Sequence, residues 1–155
     1  MPSKVTSRQL VVDACVMRSA GETDHPVSSL CRKTLSDILS ICHHAIVNDR
    51  LREEWGRHAS RRAKKWVGAM TRRGKIDTST DFLAGISFTR VKSNDRTIIE
   101  KDRMLVDVAY GSGRIIISTD DKIRLALERT GNEKFTREIR WFNPCTAPAG
   151  YLEHL

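Results

Sequence analysis

Short apolar runs alternate with amphipathic segments along the first third of the chain. Residues 9–16 are apolar on both sides of a single acid, Asp13, and show no polar alternation, which predicts a buried parallel strand. Residues 30–42 repeat their apolar positions at helical spacing, and Ser28 or Ser29 is expected to cap that helix. The pattern therefore predicts a strand followed by a helix.

A second strand and helix are predicted next. Residues 45–47 form a brief apolar run, and Asn48-Asp49 supplies a turn and a helix N-cap. One helix is expected over residues 50–72, because an apolar stripe runs through the whole segment while Lys and Arg occupy its other faces. The stripe consists of Leu51, Trp55, Ala59, Ala63, Trp66, Val67 and Met70.

The pattern weakens over residues 74–96, where turn-like sequences dominate and only residues 82–86 suggest a short helix. It then sharpens again. The predicted elements are a helix over residues 104–110 opened by Asp102 and ended by Gly111 and Gly113, a strand over 114–118, a helix over 121–129 and a last strand over 138–142.

Repeated alternation of strand and helix predicts an α/β fold: a single three-layer domain with a central parallel sheet flanked by helices. The predicted domain covers residues 1–155, with a core at about residues 9–143 and a short C-terminal tail. The composition, 39% hydrophobic and 30% charged, is that of an ordinary globular protein. We find no apolar run long enough for a membrane helix and no apolar secretory segment in residues 1–9, so we expect a cytoplasmic protein.

The net charge of +8 is concentrated in one segment. Between Trp55 and Lys75 the chain has eight basic residues and no acidic one: Arg57, Arg61, Arg62, Lys64, Lys65, Arg72, Arg73 and Lys75. Such a field favours a polyanionic partner, namely nucleic acid, an anionic membrane surface or an acidic protein. A solvated helix face would give the same pattern.

Four carboxylates are the candidate chemical groups. Asp13, Asp102 and Asp120 each fall where a predicted buried element meets a turn, and Glu54 lies on the helix after the second strand. Taken singly, each is also explained as a helix cap or a surface ion pair. Acids at the carboxyl ends of parallel strands converge on one crevice, however, where like charges require a cation. A divalent metal is the obvious candidate.

The order and spacing of these acids resemble the PIN-domain nuclease family, in its toxin-like single-domain form. The resemblance extends over roughly residues 9–143. The stretches that carry it are Val11-Val12-Asp13-Ala14, Leu51-Arg52-Glu53-Glu54-Trp55, Lys101-Asp102-Arg103-Met104-Leu105-Val106 and Ile116-Ile117-Ser118-Thr119-Asp120-Asp121.

The resemblance implies a metal-dependent nuclease that cleaves RNA with Mg²⁺ or Mn²⁺. It implies Asp13, Asp102 and Asp120 as metal ligands, with Glu54 orienting a water or completing a second metal site. Glu53 remains an alternative to Glu54, and Asp121 to Asp120. Many small members of the family are toxins of toxin-antitoxin pairs, so an antitoxin protein is an expected partner, and a homodimer is also implied.

The basic segment would then grip single-stranded RNA and lead it to the acids. The residues expected to do so are Arg57, Arg61, Arg62, Lys64 and Lys65. The competing hypothesis is a non-catalytic nucleic-acid-binding α/β module that uses only the basic helix at residues 50–75. Whether RNA or DNA is bound stays open at this point.

Other chemistries find less support in the chain. A phosphatase of the haloacid-dehalogenase type needs a second acid two residues after Asp13, where Cys15 stands, and no Gly-rich P-loop follows the first strand. The four cysteines lack zinc-site spacing and are expected to be reduced. Trp55 and Trp66 could stack on bases but fit a core position better, and the histidines at 43, 44 and 58 could act in acid/base chemistry.

Overall fold

A computed structural model describes residues 5–80 and 82–155 of the chain, so residues 1–4 and Asp81 lie outside it. The described part has an α/β architecture with one five-stranded sheet in which every strand pairing is parallel. The strands are β1 (Gln9–Val12), β2 (His44–Val47), β3 (Ile76–Thr78), β4 (Ile115–Ile117) and β5 (Arg140–Phe142). The predicted fold class is confirmed.

Seven α-helices and one 3₁₀ helix connect and follow these strands in the described residues. The α-helices are α1 (Ala14–Ser19), α2 (Pro26–Ser40), α3 (Asp49–His58), α4 (Arg61–Arg72), α5 (Ser93–Tyr110), α6 (Lys122–Arg129) and α7 (Lys134–Glu138); the 3₁₀ helix is Tyr151–His154. Helices α1 to α4 pack on one another, as do α5 to α7. No helix in the described part of the chain combines the length and apolar character needed to cross a bilayer.

The strand order β3-β2-β1-β4-β5 places a topological switch point at the centre of the sheet. From β1 the chain first builds outward through β2 and β3, then returns through α5 to β4 on the other side of β1. In open α/β sheets, ligands bind in the crevice at such a point, beyond the carboxyl ends of the strands. The residues that follow β1 and β4, Asp13 and Ser118, therefore occupy the position where a site is expected.

The core explains why the short apolar runs become strands. Leu10, Val11 and Val12 of β1 are fully buried, and so are all three isoleucines of β4. Strands covered on both faces need apolar side chains at every position, which is the continuous pattern seen here. Both tryptophans predicted for the core lie there as well, and each indole N–H has a backbone acceptor. The Trp55 Nε1 donates to the carbonyl of Val12 at 2.7 Å, and the Trp66 Nε1 donates to the carbonyl of Leu35 at 2.6 Å.

The first predicted strand is too long. It ends at Val12, and residues 14–19 form α1, with Asp13 as its N-cap. The apolar residues Ala14, Val16 and Met17 are buried against the core as a helix rather than as a strand. A short apolar run carries the same signal in either conformation, because helix and strand both bury it completely.

The predicted helix over residues 50–72 is two helices. Helix α3 ends at His58, and α4 begins after Ser60, whose side chain accepts a hydrogen bond from the Ala63 backbone N–H. Asn48 caps α3 as predicted, through its bond from the Leu51 N–H at 2.8 Å. The break went undetected because the apolar stripe continues across it, although Ser60 is a typical N-cap residue.

The second half of the chain departs from prediction at several element ends. Asp102 does not open a helix, because α5 begins nine residues earlier at Ser93, and it ends before Gly111 as predicted. Residues 82–86 form no helix, whereas residues 76–78 form the edge strand β3 instead of a turn. Helix α2 begins at Pro26 with His25 as N-cap, not at Ser28 or Ser29, because proline suits the first helical position.

Candidate active site

All four predicted carboxylates line one pocket of about 100 Å³ beyond the carboxyl ends of β1 and β4. Asp13 comes from the turn between β1 and α1, Glu54 from α3, Asp102 from α5 and Asp120 from the loop after β4. The strand order brings these side chains together. Helix α3 follows β2 and helix α5 precedes β4, and β2 and β4 are the two strands that flank β1. We call this cavity the acidic pocket.

Asp13 is held firmly at the base of the pocket. Its backbone N–H donates to the Ile117 carbonyl at 2.9 Å, which continues the pairing of β1 with β4. Its side chain is 8% exposed; Oδ1 accepts a long bond from the Cys15 N–H, and Oδ2 accepts the Ser118 hydroxyl at 2.7 Å. The carboxylate thus has a fixed orientation with lone pairs left for a cation.

Ser118 links two of the acids. Its Oγ donates to Asp13 and also accepts the backbone N–H of Asp120 at 3.0 Å. Asp120 in turn accepts the Lys122 N–H at 2.9 Å through Oδ1, an ordinary cap of the loop that enters α6. Because Ser118 bonds both residues, it couples the position of Asp13 to the loop that carries Asp120.

The structure distinguishes the two pairs of adjacent acids, Glu53-Glu54 and Asp120-Asp121. Glu54 faces the pocket with its side chain 26% exposed, whereas the Glu53 side chain is 67% exposed and pairs with Arg57. Asp120 lines the acidic pocket, whereas Asp121 lines only an adjoining cavity and lies 3.5 Å from an Arg124 nitrogen. Of the alternatives that the sequence left open, Glu54 and Asp120 are the ones placed with Asp13 and Asp102.

Asp102 is the least compensated of the four. Within the described residues its carboxylate has no hydrogen bond and no ion pair. Burial, together with the negative charges of Asp13, Asp120 and Glu54, raises its pKa to about 6, although Lys101 acts in the opposite direction. A half-buried acid whose neighbours repel its charge is unusual unless a cation binds there in the functional state.

Three basic side chains also line the acidic pocket: Arg18 from α1, His58 from α3 and Lys101 from α5. The His58 Nε2 lies 3.3 Å from the Glu54 Oε2, while Arg18 and Lys101 are exposed. His43 and His44 lie elsewhere; His43 is fully buried and donates to the Leu152 carbonyl at 2.6 Å. Arg18 was not identified from the sequence, because a strand was expected to run to Val16 and no helix was expected over residues 14–19. In the structure Asp13 caps the start of α1, and Arg18 lines the pocket from the last turn of that helix.

The five residues predicted to contact nucleic acid are all exposed, but they do not share one face. Arg57 is paired with Glu53 and Glu54. Arg62 and Lys65 line a groove between α2 and α4, whereas Lys64 lines a separate cavity between α3 and α4. Lys75 does not belong to this surface at all, because it is buried and donates to the carbonyls of Ile38 and Leu39 at 2.7 and 2.9 Å.

The donor set suits Mg²⁺ or Mn²⁺, since these ions prefer carboxylate oxygens and retain several waters. The poorly compensated charge of Asp102 fits a cation in the same way. As placed, however, no three Asp, Glu, His or Cys side chains in residues 5–80 and 82–155 form a group that could hold an ion together. Metal binding by Asp13, Asp102 and Asp120 therefore stays a prediction.

Comparison with models of known protein families and with curated protein sequences finds no match. The four cysteines are free, in agreement with the sequence.

Proposed function

We propose that this protein is a metal-dependent ribonuclease, and that the acidic pocket is its active site. The observation that carries the proposal is the convergence of Asp13, Glu54, Asp102 and Asp120 on one pocket at the switch point of the sheet. Structural roles as caps or surface pairs would not require acids from four separate elements to meet. Asp102 in particular has no structural partner within the described residues.

In this proposal Asp13, Asp102 and Asp120 hold Mg²⁺ or Mn²⁺, directly or through water. When bound, the ion would supply positive charge against the phosphate and lower the pKa of water. The Ser118 bond keeps the Asp13 carboxylate oriented towards the pocket. Glu54, whose Oε2 lies 3.3 Å from the His58 Nε2, would orient the attacking water and accept its proton.

The basic residues supply the other half of the mechanism. Lys101 and Arg18 stand beside the acids and are exposed, so they can bind the phosphate oxygens that the carboxylates would otherwise repel. Exposed cations on α4 add a field that attracts a polyanion. We propose single-stranded RNA as the substrate, because an extended strand can place one phosphate in so small a pocket while its neighbours contact these cations.

Asp102→Asn is the sharpest test, because this substitution removes a charge without removing a hydrogen bond seen in the described residues. The wild-type protein should cleave labelled single-stranded RNA in the presence of Mn²⁺, and EDTA should stop it. The variant, and Asp13→Asn with it, should lose cleavage while RNA binding survives. Equal cleavage by wild type and variant, or cleavage by neither across several RNAs, would instead favour a non-catalytic nucleic-acid-binding module.

A toxin role is a further part of the proposal and rests on the PIN-domain resemblance. A ribonuclease meets its substrate in the cytoplasm, where we propose that it acts, and an antitoxin would cover the acidic pocket. Induction of the wild-type protein should slow bacterial growth, whereas Asp102→Asn should not. Unchanged growth with well-expressed, folded wild-type protein would contradict this part alone. The implied homodimer is checked by the mass of the purified protein in solution.

A further inference from the structure

A second cavity, of about 360 Å³, lies between α2 and α4. Its floor is apolar, with Leu35, Leu39 and Trp66 among its lining residues. Four cations line it, one from α2 and three from α4, together with a single acid, Glu22: the cations are Arg32, Arg62, Lys65 and Arg72. We call this cavity the cationic groove. Its charge and its partly apolar floor suit a ligand that combines anionic groups with flat apolar ones.

The α4 cations of the groove are available to an external ligand. Arg62, Lys65 and Arg72 are exposed, and none has a hydrogen bond or ion pair with the described part of the chain. Arg32 is anchored instead, because its Nη1 donates to the carbonyls of Gly21 and Thr23. Arg32 is therefore fixed in position on the α2 side of the groove, whereas the three cations on the α4 side can adjust to a ligand.

The groove is connected to the acidic pocket through α1. This helix begins beside Asp13 and has six residues, so it spans about 9 Å. Its far end meets the start of α4, where the Ser60 N–H donates to the Met17 carbonyl at 3.1 Å and the Ser60 hydroxyl donates to the Ala20 carbonyl. Arg18, in the last turn of α1, lines the acidic pocket. Arg18 thus lies on the helix that joins the acidic pocket to the start of α4.

We propose that the cationic groove binds the RNA strand on one side of the bond to be cut, with Arg18 between groove and pocket. This inference rests on the proposed function and adds Arg32 and Arg72 to the expected RNA contacts. It leaves Arg61 and Lys64, which do not line the groove, as contributors to the surrounding positive field alone. Phosphates would pair with the cations while bases lie against the apolar floor. An acidic peptide could also meet these charges, but its path along α1 would end at four carboxylates, whereas a substrate strand must reach them.

Helix α4 offers its own control for this proposal. The pair Arg62→Gln/Lys65→Gln removes two charges from the groove. The pair Arg61→Gln/Lys64→Gln removes the same charge from exposed positions of the same helix that do not line the groove. Both pairs are made in the full chain carrying Asp102→Asn, so that RNA is not cut, and equal melting temperatures establish that both fold.

Binding of a fluorescein-labelled 12-mer oligouridylate is then measured by anisotropy over a range of salt concentrations. The groove pair should weaken binding by about 10-fold and reduce the slope of log K against log salt by about 1.4, since each phosphate contact on a single strand contributes about 0.7. The control pair lowers the field around α4 without removing a groove contact, so it should weaken binding by only about 2- to 3-fold. Equal losses in both pairs, or no loss in either, would overturn the groove as the RNA path.

Two further results test the ligand of the groove separately from the cleavage activity of the protein. A deca-glutamate peptide should displace the RNA poorly; displacement at equal charge concentration would overturn RNA as the preferred ligand. Because the readout is binding, the proposed function can fail separately: if the wild-type protein binds RNA through the groove but never cleaves it, the active-site proposal is wrong and the groove is not. Loss of cleavage in Asp102→Asn with no difference between the two pairs would support the active site and overturn the groove.

Discussion

Asp102 is half-buried and Lys75 is buried, and these two charged groups differ in what surrounds them. The ammonium of Lys75 lies at the C-terminal end of α2, where it donates to the carbonyls of Ile38, Leu39 and Ile41. Asp102 lies in the acidic pocket, where its nearest charged neighbours include three other carboxylates. The lysine completes a helix terminus, whereas the acid is a cost to the fold unless a cation joins it.

Under the proposed function, this contrast separates a charge that supports the fold from one that serves the active site. Burial lowers the pKa of Lys75 and raises that of Asp102 to about 6, so both groups are disfavoured in their charged forms. The lysine ammonium is held by three backbone carbonyls, whereas the Asp102 carboxylate has no hydrogen bond within the described residues and only Lys101 offsets its charge. Replacement of the two residues should therefore have opposite effects on stability and on activity.

The largest effect is expected for Asp102→Asn. Cleavage of RNA should fall by about 100- to 1000-fold, the usual loss when one group that stabilises a transition state is removed. The same substitution should stabilise the metal-free protein by about 1 to 2 kcal/mol at pH 7, because it removes a charge that burial and three acids oppose. Calorimetry should show a melting temperature about 2 to 8 °C higher. A lower melting temperature would mean that the carboxylate has a structural partner after all.

The next effect separates Glu54 from Glu53. Glu54→Gln should reduce cleavage by about 100-fold, as expected when a group that orients and deprotonates water is lost. Glu53→Gln is the matched control, since Glu53 is exposed, lies outside the pocket and pairs with the same Arg57. Initial rates at saturating Mn²⁺ provide the measurement. Equal losses of cleavage rate in Glu54→Gln and Glu53→Gln would show that Glu54 does not act in the chemical step.

Lys75→Met should act on stability alone. It leaves carbonyls at the end of α2 without their charged donor, so the free energy of unfolding should fall by about 2 to 4 kcal/mol. Arg73→Gln is the control, because Arg73 donates to the Leu39 carbonyl from an exposed position and should cost less than about 1 kcal/mol. Urea titrations measure both values. Unchanged stability of Lys75→Met would show that solvent replaces the ammonium without loss.

The smallest effect concerns pH. Burial lowers the pKa of His43, which accepts the Arg8 N–H through Nδ1 and donates to Leu152 through Nε2. Because the folded state favours the neutral ring, the stability from His43 is present above its unfolded pKa of about 6.5 and declines as pH falls below it. His43→Asn should reduce this decline between pH 7.5 and 5.5, as measured by urea titrations at each pH. An identical decline in wild type and His43→Asn would exclude this histidine as the cause.

The central features of the fold were predictable because burial on both faces dictates apolar strands at β1, β2 and β4. Element ends were less predictable. The break between α3 and α4 depends on Ser60 bonding the end of α1, which is a tertiary contact. The start of α5 was hidden because its first turns are largely exposed and polar. Strand β3 has little apolar signal of its own and is defined by its pairing with β2.

The site was predictable in part for a related reason. A carboxylate beside an apolar strand is conspicuous in the sequence, and the parallel sheet then brings such residues to one edge. Contributions from helix faces were not visible in the same way. Arg18 became recognisable only when residues 14–19 proved to be a helix, and Lys75 was grouped with the exposed cations because its carbonyl partners lie 34 to 37 residues away.

The most direct test of the metal site is a Mn²⁺ titration of the metal-free protein, followed by the electron paramagnetic resonance signal of free Mn²⁺. The wild-type protein should bind the ion, and Asp102→Asn should weaken binding by at least about 10-fold, while Asp121→Asn, which alters the acid next to the pocket, should not. Equal binding by all three proteins, or no binding by the wild type at millimolar Mn²⁺, would contradict the claim that Asp13, Asp102 and Asp120 form a metal site.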